Sequence, residues 1–426
     1  MAEMRPAAEM KDSGIEYIGE IPCDWSIRRG KNVLTVLNRH VKEDDGTVTC
    51  FRDGEVTLRV NRRVEGFTNA DKEIGYQGVE PGDLVVHGMD GFAGAIGISD
   101  SRGKMSPIII VLDSSENKYY LMYYLRAMAF REVFLALSTG IRERSCDLRW
   151  NKLAVFPFIL PSKNEQQAIA DYLDDRCSKI DEIIAEATAS IEEYKELKQA
   201  VIDNAVLHGI RKSEQLKGTG VDWIGDIPAT WELRKVKYVA DFNPSITNLY
   251  DEKAPVGYVP MTSVKNGYML PLEISTEEMS TGLTAFQEND VVMAKVTPCF
   301  ENGNIAIAEG LTQGVGFGSS ELFVFRPYGI NRKFLLYYLQ NSGFRNKCVS
   351  TMTGVGGLKR VSGYFVKNAY VTYPSVEEQQ LIVDYLDLRV GEMDSLISEK
   401  QSLISDLQAY KKSLIYEVVT GKRRVV

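Results

Sequence analysis

The chain has 426 residues, of which 44% are hydrophobic and 25% charged, and its net charge is −8. That length exceeds what one core usually holds, so at least two domains are expected, and the ordinary composition excludes a low-complexity or largely disordered chain. The acidic balance gives no positive support to a phosphate-binding partner, although a basic patch on a balanced domain is compatible with it.

The opening stretch, MAEMRPAAEMKDSG, lacks the basic-then-apolar order of a secretory signal. No apolar run approaches the roughly eighteen residues of a membrane span, so a cytoplasmic location is expected. The six cysteines include no C-x-x-C pair, which suits reduced thiols better than a disulfide framework or a zinc site.

In chain order, GIEYIGEIPCDWSIRRGK (Gly14 to Lys31) opens a part with short β-like runs, DLVVHGM and SPIIIVL, separated by glycine-rich turns. An aromatic amphipathic helix, KYYLMYYLRAM, follows from Lys118, and its Tyr123 and Tyr124 are assigned to the core. The loop TGIRERSCDLRW then leads to PSKNEQQAIADYLD at Pro161, where Ser162 and Glu165 form the S-x-x-E signature of a helix start. Beyond it a long helix is expected, with a seam of Ile169, Leu173, Ile180, Ile183, Ala187, Ile191, Tyr194, Leu197 and Val201.

The whole order then recurs. GVDWIGDIPATWELRKVK (Gly220 to Lys237) echoes the entry, DVVMAKV and ELFVFRP echo the strands, and RKFLLYYLQN from Arg332 echoes the aromatic helix with Tyr337 and Tyr338. TGVGGLKRVSGY echoes the loop. PSVEEQQLIVDYLD at Pro374 repeats ten of the fourteen residues found 213 positions earlier, again with S-x-x-E at Ser375 and Glu378. Its seam is Ile382, Leu386, Met393, Ile397, Ile404, Leu407, Tyr410 and Leu414.

A tandem duplication of this kind makes an internal pseudo-dimer. The fold expected is α/β (mixed α+β), with two globular domains in pseudo-two-fold repeat and two long helices, each ~65 Å long at 1.5 Å per residue. Those helices bury their seams against each other as an antiparallel coiled coil. The boundaries are 1–161, a helix at 162–210, a second domain at 211–374 with a short linker at 211–217, and a final helix and tail at 375–426. Most of the excess acid lies in the two helical segments.

No catalytic constellation is visible. The three histidines, His40, His87 and His208, have no ligand spacing, so a metal site is not expected. Nucleotide-binding and nucleophile-elbow motifs are missing, and GVGFGSSE from Gly314 reads as a tight turn entering ELFVFRP. Two heads on a rigid spacer suggest a bivalent reader of an extended ligand such as DNA. A structural adaptor bridging two proteins is the alternative.

The duplicated EQQxIxDYLD openings, the I-G-x-I-P-x-x-W entries, AKVTPCFENGNIAI and GFGSSELFVFRP together resemble the specificity subunits of type I restriction-modification systems. The resemblance implies a non-catalytic subunit whose two target-recognition domains each read half of a bipartite double-stranded DNA site. It also implies helices that dock two modification subunits, with up to two restriction subunits joining that core. S-adenosylmethionine, magnesium and ATP would then sit on the partners, leaving this chain without cofactors. Gln166, Gln167, Tyr172, Gln379, Gln380 and Tyr385, in the repeated openings, are the candidate docking residues.

Laying one domain on the other puts Gly88 opposite Lys295 and Asp90 opposite Thr297, so the apolar frame persists while the tips differ, and a non-palindromic target is expected. The first candidates for DNA contact are Arg142 and Arg144 in the first loop and Lys359 and Arg360 in the second, because the guanidinium fork takes guanine or phosphate and glycines admit the backbone to the duplex. Arg62, Arg63, Lys104, Lys265, Lys295 and Thr297 follow. Glu321 can accept from a cytosine amine, but a structural hydrogen bond is the role expected of it.

Overall fold

The computed structural model describes residues 3–62, 73–136, 148–211, 215–246, 250–251, 253–355 and 357–425. They form two compact units, Met1–Thr188 with Gln401–Val426 and Ala189–Lys400. Each unit is built on one plan.

In the first unit the strands that carry this plan are β1 (Ser26–Arg29), β2 (Thr35–Val36), β3 (Leu84–His87), β4 (Ile96–Ile98), β5 (Ile109–Asp113) and β6 (Pro157–Leu160), with the helix α1 at Lys118–Phe130 between β5 and β6. A four-stranded antiparallel sheet runs β4-β3-β5-β2, and β1 pairs with β6. The long helix α2 (Lys163–His208) follows.

The second unit repeats the plan with β7 (Glu232–Lys235), β8 (Ala240–Phe242), β9 (Val291–Ala294), β10 (Ile305–Ile307), β11 (Leu322–Pro327), α3 (Arg332–Gln340), β12 (Tyr370–Tyr373) and the long helix α4 (Val376–Val419). Its sheet runs β8-β11-β9-β10, the same order met from the other edge, and β7 pairs with β12.

The central strands are apolar along most of their length because both sheet faces are covered. In β3 and β5, Leu84, Val86, Ile110 and Leu112 join the core that contains α1, whereas Val85, Ile109 and Val111 join a second core with Val48 and Val56. The repeat does the same, with Val291, Met293, Phe323 and Phe325 facing α3 and Val292, Leu322 and Val324 facing Phe286. Tyr123, Tyr124, Tyr337 and Tyr338 are buried in these cores, as their helical spacing predicts. One expectation is corrected: Val315–Gly318 is a buried strand, not a tight turn. A Cβ on Gly316 would lie 2.4 Å from the Phe286 ring, so glycine serves close packing there.

The seam of the long helices alternates strictly by four and three. In the first unit α2 turns Leu173, Cys177, Ile180 and Ile184 inward, and α4 turns Leu407, Lys411, Leu414 and Val418. In the second unit Tyr194, Lys198 and Val201 of α2 and Leu386, Val390, Met393, Ile397 and Lys400 of α4 take those positions. There Lys198 Nζ meets Asp394 at 2.6 Å while Lys400 Nζ lies 5.9 Å from the Tyr194 ring centre, so the helices run antiparallel. Lys411 meets Asp181 in the same way in the first unit, at 2.5 Å. The expected seam is corrected at Ile183, Leu197 and Tyr410, which are 45%, 50% and 51% exposed. The residue one position on takes the seam in each case: Ile184 for Ile183, and for Leu197 and Tyr410 the lysines Lys198 and Lys411, whose stems pack inward while their ammonium groups reach Asp394 and Asp181 at the rim.

Both ends of the chain serve the first unit. Glu3 and Met4 pair with Arg424 and Arg423, and Leu414, Ile415, Val418 and Val419 share a core with Ile21 and Trp25. The long helices end at Gly209 and, two residues past α4, Gly421, with φ of 78° and 73°, over Trp231 and Trp25 respectively.

The two tryptophans are buried alike but bonded differently. Trp25 Nε1 donates to Glu165 Oε2 at 3.0 Å, whereas Trp231 Nε1 finds no acceptor among the described residues. Glu165 also accepts from Arg5 at 2.5 Å, so its carboxylate is used there, while Ser162 Oγ accepts from the Glu165 amide at 3.3 Å. Replacing Trp25 by Phe should therefore destabilise by about 1–3 kcal/mol more than replacing Trp231 by Phe, because only the first change removes a hydrogen bond to a charged group. Equilibrium urea unfolding of the two variants measures the difference.

Candidate nucleic-acid interface

The strands β9 and β11 lie side by side, so the end of one and the start of the other form one rim of the sheet. Lys295 follows β9 and Glu321 precedes β11, and the amide of Lys295 donates to the Glu321 carbonyl at 3.0 Å. The residues 357–361 fold over this rim. Val361 N–H donates to the Lys295 carbonyl at 2.9 Å, and the Thr297 amide donates to the Lys359 carbonyl at 3.0 Å.

Thr297 is 8% exposed and its hydroxyl is fully occupied, donating to the Gly357 carbonyl at 2.6 Å and accepting from Lys359 N–H at 3.0 Å. It pins the loop. Arg360 lies side-on to Glu321, with Nε 3.0 and 2.9 Å from the two carboxylate oxygens and Nη2 2.8 Å from Oε1. Lys295 Nζ donates to the Ser320 carbonyl at 2.6 Å and stands 3.9 Å from Glu321.

Four sequence candidates, Lys295, Thr297, Lys359 and Arg360, thus meet at one rim, and Glu321 makes the structural contact expected of it. Lys265 lies elsewhere, in the turn leading to Met269, where its carbonyl accepts from Ile305 N–H at 3.1 Å.

The first domain has the same rim, since Ile109 of β5 stands opposite His87 of β3. Leu148 N–H donates to the Gly88 carbonyl at 2.9 Å, so the segment entering β6 crosses this rim as 357–361 crosses the other. Arg63, Arg142 and Arg144 lie outside the described residues. Arg62 bonds Asp53 at 2.6 Å and Glu55 at 3.2 Å, with its guanidinium 4.3 Å from the Phe51 ring centre. Lys104 is in a different strand, Gly103–Met105, and bonds Glu73 at 2.7 Å.

A cavity of about 570 Å³ opens at this rim, lined among others by Arg52, Arg62, His87 and Asp90. Arg52 Nη2 donates to Asp90 Oδ1 at 2.8 Å, and the Asp90 amide donates to His87 Nδ1 at 3.0 Å. Burial pushes the His87 imidazole below its ordinary value, against the upward pull of Asp90. The neutral ring therefore accepts from the Asp90 amide. Arg52 and His87 are not among the residues that sequence reasoning chose. The signal was the alignment that put Asp90 opposite Thr297, which marks the rim without showing what faces it.

The repeated helix openings are used inside the molecule. Asn117 caps α1 and Asn331 caps α3. Gln166 and Gln379, both fully buried, accept from the backbone N–H of those caps at 2.9 and 2.8 Å and donate to the carbonyls of Pro161 and Pro374, each at 3.0 Å. Gln167 and Gln380 accept from the cap side chains at 2.8 and 2.9 Å. The hydroxyls of Tyr123 and Tyr337 donate to Asp174 and Asp387 at 2.7 and 2.8 Å. Gln166 and Gln379 can shape a docking surface only indirectly. Gln167 and Gln380 are exposed, while Tyr172 and Tyr385 are half-buried, with Arg176 5.5 Å from the Tyr172 ring centre.

Two like sheets, each with a rim crossed by a loop, and two helices bearing the same junction make up a duplicated architecture. Residues 228–402 match the family described as type I restriction modification DNA specificity domain. Over its length the chain is similar to specificity subunits of type I restriction-modification systems.

Among particular relatives, it is 34% identical over 163 residues to the type I restriction enzyme EcoAI specificity subunit of Escherichia coli. That match takes in 37% of this chain and only 28% of the relative's length. The putative type I restriction enzyme MjaX specificity subunit of Methanocaldococcus jannaschii is 22% identical over 433 residues, 96% of each chain. A solved structure from work on the complex assembly and conformational transition of the type I R-M system shares the fold, with a TM-score of 0.70 at 14% identity over 94% of this chain and 99% of that one.

The hydrogen bonds of Arg360, helped by the charge of Lys295, hold the Glu321 carboxyl below the ordinary glutamate value. A depressed carboxylate stabilises the fold above its unfolded pKa, and that contribution is lost as pH falls through the folded one. Carboxyl-detected NMR should place the Glu321 midpoint below 4.5, and Arg360→Ala should return it towards 4.5.

Proposed function

We propose that the chain is the non-catalytic DNA-specificity subunit of a type I restriction-modification complex. Each domain reads one half of a bipartite, asymmetric site through its rim and loop. The exposed faces of the long helices dock two modification subunits in equivalent positions, and restriction subunits add to that core. S-adenosylmethionine, magnesium and ATP are held by those partners.

One observation carries the reading. The two domains share a sheet, its strand order and the loop that crosses its rim, yet the rims carry different side chains: Gly88 and Asp90 in one, Lys295 and Thr297 in the other. A fixed scaffold with unlike tips is what separate recognition of two different half-sites requires, because direct readout resides in a few side chains at base edges. The equivalent junctions at Gln166 and Gln379 support paired docking, since two copies of one partner would then meet two like surfaces.

Exchanging residues 1–160 for the matching part of a relative, in a host that also makes the modification subunit, tests this. Methylome sequencing should show one half of the modified site changed and the other retained. A change in both halves or in neither overturns the proposal, and a complex that assembles but modifies no preferred sequence points to the adaptor.

A further inference from the structure

We infer that each domain reads a G·C base pair with an arginine–carboxylate couple at its rim, Arg52 with Asp90 in the first domain and Arg360 with Glu321 in the second. This rests on the DNA reading proposed above and names the chemistry of its two contacts.

The couples stand at the same end of equivalent sheets but on different elements. Asp90 follows the strand β3, whereas Glu321 precedes β11, the counterpart of β5. Their arginines come from unrelated places, Arg52 from the turn before Glu55 and Arg360 from the loop after α3. Inheritance of one ancestral ion pair does not produce that arrangement, but a shared demand at the rim does.

In both couples the arginine is the more open partner. The side chains are 61% exposed for Arg52 against 35% for Asp90, and 49% for Arg360 against 25% for Glu321. Pairs this exposed contribute little to folding, so stability does not account for them.

The geometry leaves reading edges available. Arg360 engages Glu321 through Nε and Nη2, so Nη1 and the outer Nη2 hydrogen are directed away from that bond. Arg52 engages Asp90 through Nη2. A guanidinium held by one edge is aimed without being consumed, and little rotamer freedom remains to be lost on contact.

In the major groove a G·C pair presents the O6 and N7 acceptors of guanine beside the N4 amino donor of cytosine. An arginine fork answers the first two and an ionised carboxylate the third. An A·T pair offers no base with two adjacent acceptors for the fork. The carboxylates are held in place for that role, Asp90 through the hydrogen bond that its backbone N–H donates to His87 Nδ1 and Glu321 by Lys295 as well as Arg360.

The test is selection of the full chain on duplexes with a randomised centre, followed by sequencing of the bound fraction. The unmodified chain should return a two-part motif. Arg52→Ala should flatten one G·C position in one part and Arg360→Ala one in the other, each by roughly 5- to 100-fold in preference, with the remaining positions kept. Arg→Lys at either site should not restore it, because a point charge cannot fork. Asp90→Asn and Glu321→Gln should relax the same positions.

Matching thermal melts of variant and unmodified chains separate lost reading from lost folding. An unchanged motif in both alanine variants, or equal weakening on every sequence as phosphate anchors would give, overturns this inference and leaves the proposed function standing. An unmodified chain that returns no motif overturns both.

Discussion

Each domain is fastened to its long helix by a buried amide, and the repeated architecture depends on that bond. Gln166 and Gln379 stand where a helix cap, a proline carbonyl and an incoming helix converge, and each side chain supplies both an acceptor and a donor there. An apolar residue would leave two buried backbone groups unmatched, which is costlier than any packing it could add. The neighbouring glutamine and the tyrosine–aspartate bond extend the joint along one face. Between these joints and the buried far ends of the helices, Ile202, Ala205 and Val206 of α2 and Leu414, Ile415, Val418 and Val419 of α4, the helices are mostly exposed and meet along a narrow seam, so the joint helps set the orientation of each helix relative to its sheet.

This explains why PS-x-x-EQQ and DYLD recur so closely while the rest of each domain varies. Their residues are read by the protein itself. Pro161 and Pro374 present carbonyls, Ser162 and Ser375 accept the first free amides of the helix, and the second aspartate of DYLD takes a hydroxyl from the aromatic helix. A motif that looks like a docking signature can be an internal one, and only the exposed members of it are free to do both.

Much of the architecture was legible in the sequence. The four apolar runs became β3, β5, β9 and β11, the aromatic helices went to the core, and the duplicated openings marked the long helices, because period and caps are local properties of the chain. Three failures have a common cause. Leu197 lost its seam position to Lys198, the strand at Val315–Gly318 was hidden by its glycines, and the Arg52–Asp90 pair went unseen. In each case the deciding contact comes from a distant part of the chain: Asp394 for Lys198, Phe286 for Gly316, and a turn 38 residues away for Asp90. Composition and spacing do not encode such meetings, although the alignment of the two halves did mark Asp90 and Lys295 as equivalent tips.

The first domain is completed by the last helix. Its core includes Leu414, Ile415, Val418 and Val419, and its opening strand pairs with Arg423 and Arg424. During synthesis on the ribosome, the part of the first unit before residue 189 therefore waits with part of its interior uncovered until the residues after 400 have emerged. The second domain draws on residues 189–400 alone and has all of its parts sooner. Order of manufacture and order of maturation are inverted, and an interrupted translation product would carry an open domain at its head.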